Sequence, residues 1–109
     1  MEKIIYSDEV KVYLDKLVVI LFNKEYFGYK VTAQEYVDRI THDIERHIDI
    51  KKHKPTPPGL RKYGKYYASF HANKRTTWYV IFNKRDGLYN INYITNNHVG
   101  KAAELLGFR

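Results

Sequence analysis

The residue of this sequence best suited to acid–base chemistry on a phosphoester is a histidine near its end. His98 follows Asn96 and Asn97 and precedes an apolar periodic segment. We therefore expect it at the N-terminus of a helix, where free backbone amides can help to hold a phosphate. An imidazole titrates near neutral pH and can donate or accept a proton there. His98 is the leading candidate for proton transfer, and the alternative is a surface residue of the first helical turn.

A second candidate is an arginine in the polar turn that precedes the apolar run 78–82. The planar guanidinium of Arg75 can hold two phosphate oxygens, whereas Lys74 beside it offers only a point charge. Arg75 is therefore the candidate for stabilising charge that develops during a reaction. The alternative is a cation at the tip of a hairpin.

The remaining histidines give no pattern typical of a metal site. His42, His47 and His53 lack ligand spacing, and no HExxH motif occurs. His71 lies on one side of a predicted strand without a partner at a defined spacing, which favours a structural role. The chain contains no cysteine, which excludes a disulfide scaffold, a cysteine zinc site, an iron–sulfur cluster and a thiol nucleophile. We expect no metal and no cofactor.

The positive charge of the chain is concentrated in its second half. Residues 1–50 hold ten acidic and seven basic residues, whereas residues 51–109 hold two acidic and twelve basic ones. The basic residues alternate with aromatic ones, a combination that suits RNA because phosphates take the charge and unstacked bases take the ring faces. The alternative is a solvated basic surface above an aromatic core. The RNA-binding residues predicted besides the two candidates above are Lys65, Lys74, Trp78, Asn96 and Asn97.

The first half of the chain has the pattern of a short strand followed by two helices. Residues 3–6 predict a strand, and Ser7 is expected to cap a helix over residues 7–27. Thr32 and Glu35 have the spacing of a capping box, which predicts a second helix over residues 32–50. Both helices carry an apolar stripe of helical period.

The second half predicts a proline-rich connector over residues 51–59 and then three antiparallel strands. The strands are expected at residues 66–72, 76–83 and 88–95, with Asp86 and Gly87 in a tight turn. In the last strand three apolar residues alternate with asparagines, so one face is expected to pack on the helices while the other is more polar. The apolar positions are Tyr89, Ile91 and Tyr93, and the asparagines are Asn90 and Asn92. A short helix beginning at Asn97 is predicted to close the chain.

These elements predict one α+β domain over residues 1–109, with two N-terminal amphipathic helices packed on a small antiparallel sheet. A chain of this length has room for only one core. No run approaches the ~18 apolar residues of a membrane span, and the N-terminus lacks the apolar segment of a signal peptide. We therefore expect a cytoplasmic protein with no membrane partner.

Two segments of the chain resemble a known family. Residues 74–82, KRTTWYVIF, and residues 93–98, YITNNH, look like the central strand and the last strand with its terminal histidine in the RelE/ParE superfamily of bacterial toxins. The order of the elements is similar as well, so the resemblance covers most of the chain. It is closest to the RelE/HigB-like branch. Many relatives have an arginine where this chain has Trp78 and Tyr79, and a tyrosine beside the terminal histidine where it has Asn97 and Val99.

The resemblance implies a RelE-like toxin of a type II toxin–antitoxin system, silenced by a cognate antitoxin and cleaving mRNA on the ribosome. By the same resemblance His98 would move a proton, Arg75 would stabilise transition-state charge, and Lys65 and Lys74 would hold the RNA backbone. Cleavage would need no metal because the adjacent 2′-hydroxyl is an internal nucleophile. The alternatives are a ParE-like inhibitor of DNA gyrase and a non-enzymatic RNA- or protein-binding module of the same fold. The terminal histidine favours the ribonuclease.

Overall fold

The fold is a mixed α+β architecture with two helices and a five-stranded sheet, described for residues 3–23, 30–72, 74 and 76–99 of a computed structural model. The α+β class predicted from the sequence is confirmed. The predicted C-terminal helix does not begin at Asn97, because residues 97–99 form a turn, and the remainder of that prediction lies outside the described residues. In the part of the chain that is described, no helix combines the length and the apolar character needed to cross a bilayer. In chain order the elements are β1 Lys3–Tyr6, α1 Asp8–Asn23, α2 Lys30–His47, β2 Lys54–Pro55, a 3₁₀ helix Pro58–Tyr63, β3 Tyr66–His71, β4 Thr77–Arg85 and β5 Leu88–Asn96.

The sheet has the strand order β1-β5-β4-β3-β2. The pairs β2–β3, β3–β4 and β4–β5 are antiparallel, but β1 runs parallel to β5. The expected antiparallel meander of β3, β4 and β5 is therefore confirmed, while a wholly antiparallel sheet is wrong. Asp86 and Gly87 form the predicted turn between β4 and β5, with φ angles of 51° and 81°.

The helix starts follow the local sequence signals only in part. The Ser7 side chain caps α1 as predicted, because its Oγ accepts a hydrogen bond from the Val10 amide at 3.2 Å. The predicted capping position Thr32 is wrong, because α2 is already helical from Lys30. Thr32 therefore lies inside the helix, where its backbone cannot have the non-helical geometry of a cap.

One hydrophobic core joins the two helices to the sheet. The apolar stripe of each helix is buried, and it forms a single cluster with buried side chains of β3, β4 and β5. Members with essentially no exposure are Ala33, Ile44, Val80, Phe82 and Ile91. The apolar periodicity of the sequence therefore identifies the core face of both helices correctly.

A second, smaller cluster covers the sheet residues that point away from this core. Leu60 of the 3₁₀ helix packs with Tyr67, Tyr79 and Ile81, and the Tyr63 ring lies against the same group. The predicted polar character of this face is therefore wrong at its centre. The cause is a 3₁₀ helix that begins in the last two residues of the predicted irregular connector and brings Leu60 onto the strands. The connector also contains the short strand β2.

A bulge in β5 changes which side chains reach each cluster. Ile81 pairs with Tyr93 while Phe82 pairs with Ile91, so Asn92 is an extra residue in β5. One extra residue inverts the alternation of all later side chains. The prediction that Tyr93 faces the helices is therefore wrong.

The residues around the bulge hold the 3₁₀ helix against the sheet. The Tyr93 ring stacks on Tyr63 with a centroid distance of 4.2 Å and an interplanar angle of 8°. The Asn92 Nδ2 donates a hydrogen bond to the Tyr63 carbonyl oxygen at 2.8 Å. The bulge thus turns both Asn92 and Tyr93 into partners of Tyr63.

Candidate functional site

Polar side chains gather at the end of the sheet where β3 and β5 finish and β4 begins. The pairing places His71 opposite Thr77, and Trp78 opposite Asn96. The turn after β5 then brings its own residues to the same place. We call this group the sheet-end cluster, and its members are His71, Thr76, Thr77, Asn96, Asn97 and His98.

The imidazole of His98 is exposed and is oriented by a hydroxyl group. Its Nε2 lies 3.0 Å from the Thr76 Oγ1. When the His98 Nε2 donates to the Thr76 hydroxyl, Nδ1 is the nitrogen left to exchange a proton. Nδ1 then acts as a base in the neutral imidazole, where it has a free lone pair, and as an acid in the imidazolium, where it carries a proton. The contact therefore suits His98 to either direction of proton transfer.

The two asparagines before His98 shape the turn that carries it. The Asn96 Oδ1 accepts a hydrogen bond from the His98 amide at 2.8 Å. The Asn97 Oδ1 accepts one from the Thr77 amide at 2.8 Å, and the Asn97 amide donates to the Thr77 carbonyl at 3.2 Å. Both predicted RNA-binding asparagines therefore lie next to His98. The Asn96 side-chain oxygen closes the turn, and the Asn97 side-chain oxygen ties the turn to β4.

A second imidazole at the same end was not expected to have a chemical role. The His71 Nδ1 lies 2.9 Å from the Thr77 Oγ1, and the His71 side chain is exposed while Thr77 is buried. Two exposed imidazoles therefore contact two consecutive threonines. Either imidazole is a group that can accept or donate a proton in general acid–base catalysis.

Sequence reasoning missed His71 because its partner is set by strand pairing. The histidine and Thr77 are six residues apart, and only the hairpin register brings them face to face. The available signal was the polar segment between two β-rich runs, which indicates a hairpin whose flanking residues are opposed.

The cations predicted for this site are not all found together. Lys74 is exposed in the connection between β3 and β4, which the Ala72 amide closes by donating to the Thr76 carbonyl at 2.9 Å. Lys74 therefore belongs to the same end of the sheet as His98. Arg75, the predicted phosphate clamp, lies outside the described residues.

Lys65 and Trp78 do not join the cluster. Lys65 precedes β3 whereas His71 ends it, so about 20 Å of extended strand separates the two residues. Trp78 is 2% exposed, and its Nε1 donates to the Tyr36 hydroxyl at 3.1 Å. The structure therefore places the Trp78 ring in the core between sheet and α2, not on an RNA-facing surface. Trp78 lies in the core because side chains alternate between the two faces of β4 and position 78 is on the face that packs against α2.

A buried tyrosine shares a strand and a face with Thr77. Burial raises the pKa of the Tyr79 phenol, and the neighbouring Tyr67 raises it further. A phenol with a raised pKa keeps its proton at neutral pH, so it serves as a hydrogen-bond donor and not as a base. The two histidines are accordingly the groups of this region best suited to exchange protons.

Comparison with known proteins adds no relative to this picture. No family model matches the sequence, and no curated protein matches it. Among the described residues, no group of three or more His, Cys, Asp or Glu side chains could hold a metal ion.

Proposed function

We propose that this chain is a ribosome-dependent mRNA endoribonuclease, the toxin of a type II toxin–antitoxin system, with a RelE-like arrangement of its helices and sheet. The observation that carries the proposal is the pair of histidine–threonine contacts at one end of the sheet. The contacts are 3.0 Å for His98 with Thr76 and 2.9 Å for His71 with Thr77. Further support comes from the concentration of basic residues in the same half of the chain.

The proposed reaction uses the RNA's own 2′-hydroxyl. One imidazole removes its proton while the oxygen attacks the adjacent phosphorus, so an O2′–P bond forms. The P–O5′ bond breaks, and the second imidazole gives a proton to the leaving 5′-oxygen. The products are a 2′,3′-cyclic phosphate and a 5′-hydroxyl.

Cations at the same end complete the proposed site. Developing charge on the phosphate needs a fixed positive partner, and Arg75 would supply it with a planar guanidinium. Lys74 would hold the RNA backbone. Lys65, at the other end of β3, would contact the RNA backbone well away from the cleaved bond.

The partners follow from the same proposal. The chain acts in the cytoplasm on mRNA that occupies the ribosome, and a cognate antitoxin encoded beside it restrains it. A small acidic or DNA-binding protein in the neighbouring reading frame, copurifying with this chain, is the expected antitoxin.

The function is tested in a purified translation system with a defined mRNA, its cleavage mapped by primer extension. We expect cleavage only of translated mRNA, with cyclic phosphate at the new 3′ end. A single 2′-deoxynucleotide at the mapped position is expected to abolish cleavage there. An intact mRNA combined with inhibition of gyrase supercoiling would replace the proposal by the gyrase alternative. An intact mRNA with no effect on gyrase would leave a binding module.

A further inference from the structure

A cleft separates the second half of α2 from the end of β3. Its volume is about 270 Å³, and its floor is apolar, formed in part by Ile40, Phe70 and Trp78. The charged residues and histidines that line it are Arg39, His42, Asp43, Arg46, His47 and His71, and Tyr36 lines it as well. Two guanidinium groups thus face one carboxylate, and the cleft is net positive even when all three imidazoles are neutral.

The contacts within the cleft leave its guanidinium charge available. Asp43 Oδ1 pairs with His47 Nδ1 at 2.7 Å. Arg46 Nη1 lies 3.4 Å from His42 Nε2, which must accept because a guanidinium only donates. Among the described residues neither Arg39 nor Arg46 forms an ion pair with a carboxylate.

Helix electrostatics explain only part of this arrangement. Arg46 and His47 lie in the last turn of α2, where cations are favourable beside the C-terminal end of the helix dipole. Arg39 lies two turns earlier, and His71 belongs to a strand. A further cation stands nearby, since the Lys51 ammonium lies 5.1 Å from the centre of the Phe70 ring. Two guanidinium groups of α2 therefore line the cleft, and the Lys51 ammonium lies over the ring of Phe70, another of its lining residues.

We propose that this α2–β3 cleft binds a phosphate group of the RNA strand, next to the phosphate cleaved at the sheet-end cluster. The identification of this ligand as RNA rests on the proposed function. The two sites lie at the same end of β3, because Phe70, His71 and Ala72 are among the residues that line the cleft and His71 also contacts Thr77. Guanidinium groups bind phosphate through paired, charge-assisted hydrogen bonds, so Arg39 and Arg46 are the phosphate-binding residues. The acidic half of the sequence thus contributes part of the RNA-binding surface.

The test measures binding, not cleavage. The full chain is titrated with a single-stranded RNA whose sugars are 2′-O-methylated and so resist transesterification, and separately with inorganic phosphate. Arg39→Gln and Arg46→Gln are each expected to weaken RNA binding about tenfold or more at low salt. Each is also expected to reduce the slope of log affinity against log salt by about one. Arg85→Gln, an exposed arginine at the far end of β4, is the matched control and is expected to bind like the parent.

The outcomes separate this inference from the proposed function. RNA binding that depends on Arg39 and Arg46 supports the cleft even if the parent cleaves no mRNA. RNA binding unchanged in both variants, or weakened equally in Arg85→Gln, would overturn it. Binding of inorganic phosphate without RNA would also overturn it, because the cleft would then take a free phosphate compound. Thermal unfolding of each variant confirms that the fold is retained.

Discussion

Thr76 decides how the His98 imidazole is presented, because its hydroxyl is 3.0 Å from Nε2. Thr76→Val keeps the shape of the side chain but removes the hydrogen bond. We expect the maximal cleavage rate to fall about 10- to 100-fold, since a misplaced proton-transfer group loses rate without losing substrate affinity. Thr76→Ser retains a hydroxyl and is expected to restore the rate. An unimpaired Val variant, or a Ser variant as slow as Val, would show that Thr76 does not position His98.

Tyr13 is predicted to affect stability in alkali. Burial raises its pKa to about 12 from a usual value of 10.0, with Tyr93 and Tyr36 adding to the shift. Between these values the unfolded chain releases a proton that the folded chain keeps. The free energy of unfolding therefore falls as pH rises, by at most about 1.4 kcal/mol per pH unit from this group. Below pH 10 both states are protonated, and the contribution is fully present.

Tyr13→Phe removes this titration. Urea unfolding at pH 9 and pH 11.5 is expected to show a smaller loss of stability in the Phe variant than in the parent. The raised pKa of Tyr6 and of Tyr79 remains in both proteins and cancels in the comparison. Equal losses in the two proteins would contradict the assignment to Tyr13.

For individual residues of the site, the sequence predicts which ones are neighbours when they are adjacent in the chain, but not when they are distant in it. Asn96, Asn97 and His98 are adjacent in the chain, so their proximity needs no tertiary information. His71 reaches the same place only through the register of β3 with β4. Trp78 has an aromatic ring of the kind that stacks on RNA bases, but the alternation of side chains along β4 directs this ring into the core. The type of a residue indicates neither the register in which its strand pairs nor the face of the sheet on which its side chain lies.

Gly64 connects the 3₁₀ helix to β3 at a point where the backbone approaches β4 closely. A Cβ at this position would lie 2.5 Å from the Phe82 carbonyl oxygen, and backbone atoms cannot move aside as a flexible side chain can. Gly64→Ala is therefore expected to lower the free energy of unfolding by about 1 to 3 kcal/mol, as overpacking typically does. Lys65→Ala, at an exposed neighbour, is the control and is expected to change stability little. Equal urea midpoints for parent and Gly64→Ala would contradict the close approach.

Elements with strong local patterns are predictable here, and elements that depend on pairing are not. The bounds of β1, β3, β4 and β5 agree with the sequence to within about two residues, because β-branched and aromatic runs end at clear turn residues. The sequence of a strand as short as the four residues of β1 does not indicate that this strand pairs in parallel with β5. The bulge at Asn92 is equally hidden, because Tyr89 to Tyr93 alternate perfectly in sequence. The three prolines of residues 51–59 favour an irregular connector, so the sequence does not predict the 3₁₀ helix that begins there.

For the whole molecule, the charge pattern predicts RNA binding that depends strongly on salt. Cation contacts release counterions from phosphate, so affinity is expected to fall steeply and linearly on logarithmic axes as salt rises. Lys74 lies at the sheet-end cluster and Lys65 about 20 Å away along β3. For an RNA of four or five nucleotides that spans the cleaved bond, Lys74→Gln should weaken binding and Lys65→Gln should not. Salt-independent binding, or equal losses in the two variants, would contradict this assignment.

For the whole protein as an enzyme, we propose that mRNA cleavage passes through the exposed imidazole of His98. The direct measurement compares the parent, His98→Ala and the neighbouring control Val99→Ala in a purified translation system, with ribosome binding and thermal unfolding measured in parallel. We predict that His98→Ala loses about 100- to 10,000-fold in cleavage rate while binding and stability stay close to the parent. Val99→Ala should cleave normally. A His98→Ala variant that cleaves translated mRNA as fast as the parent would contradict the account.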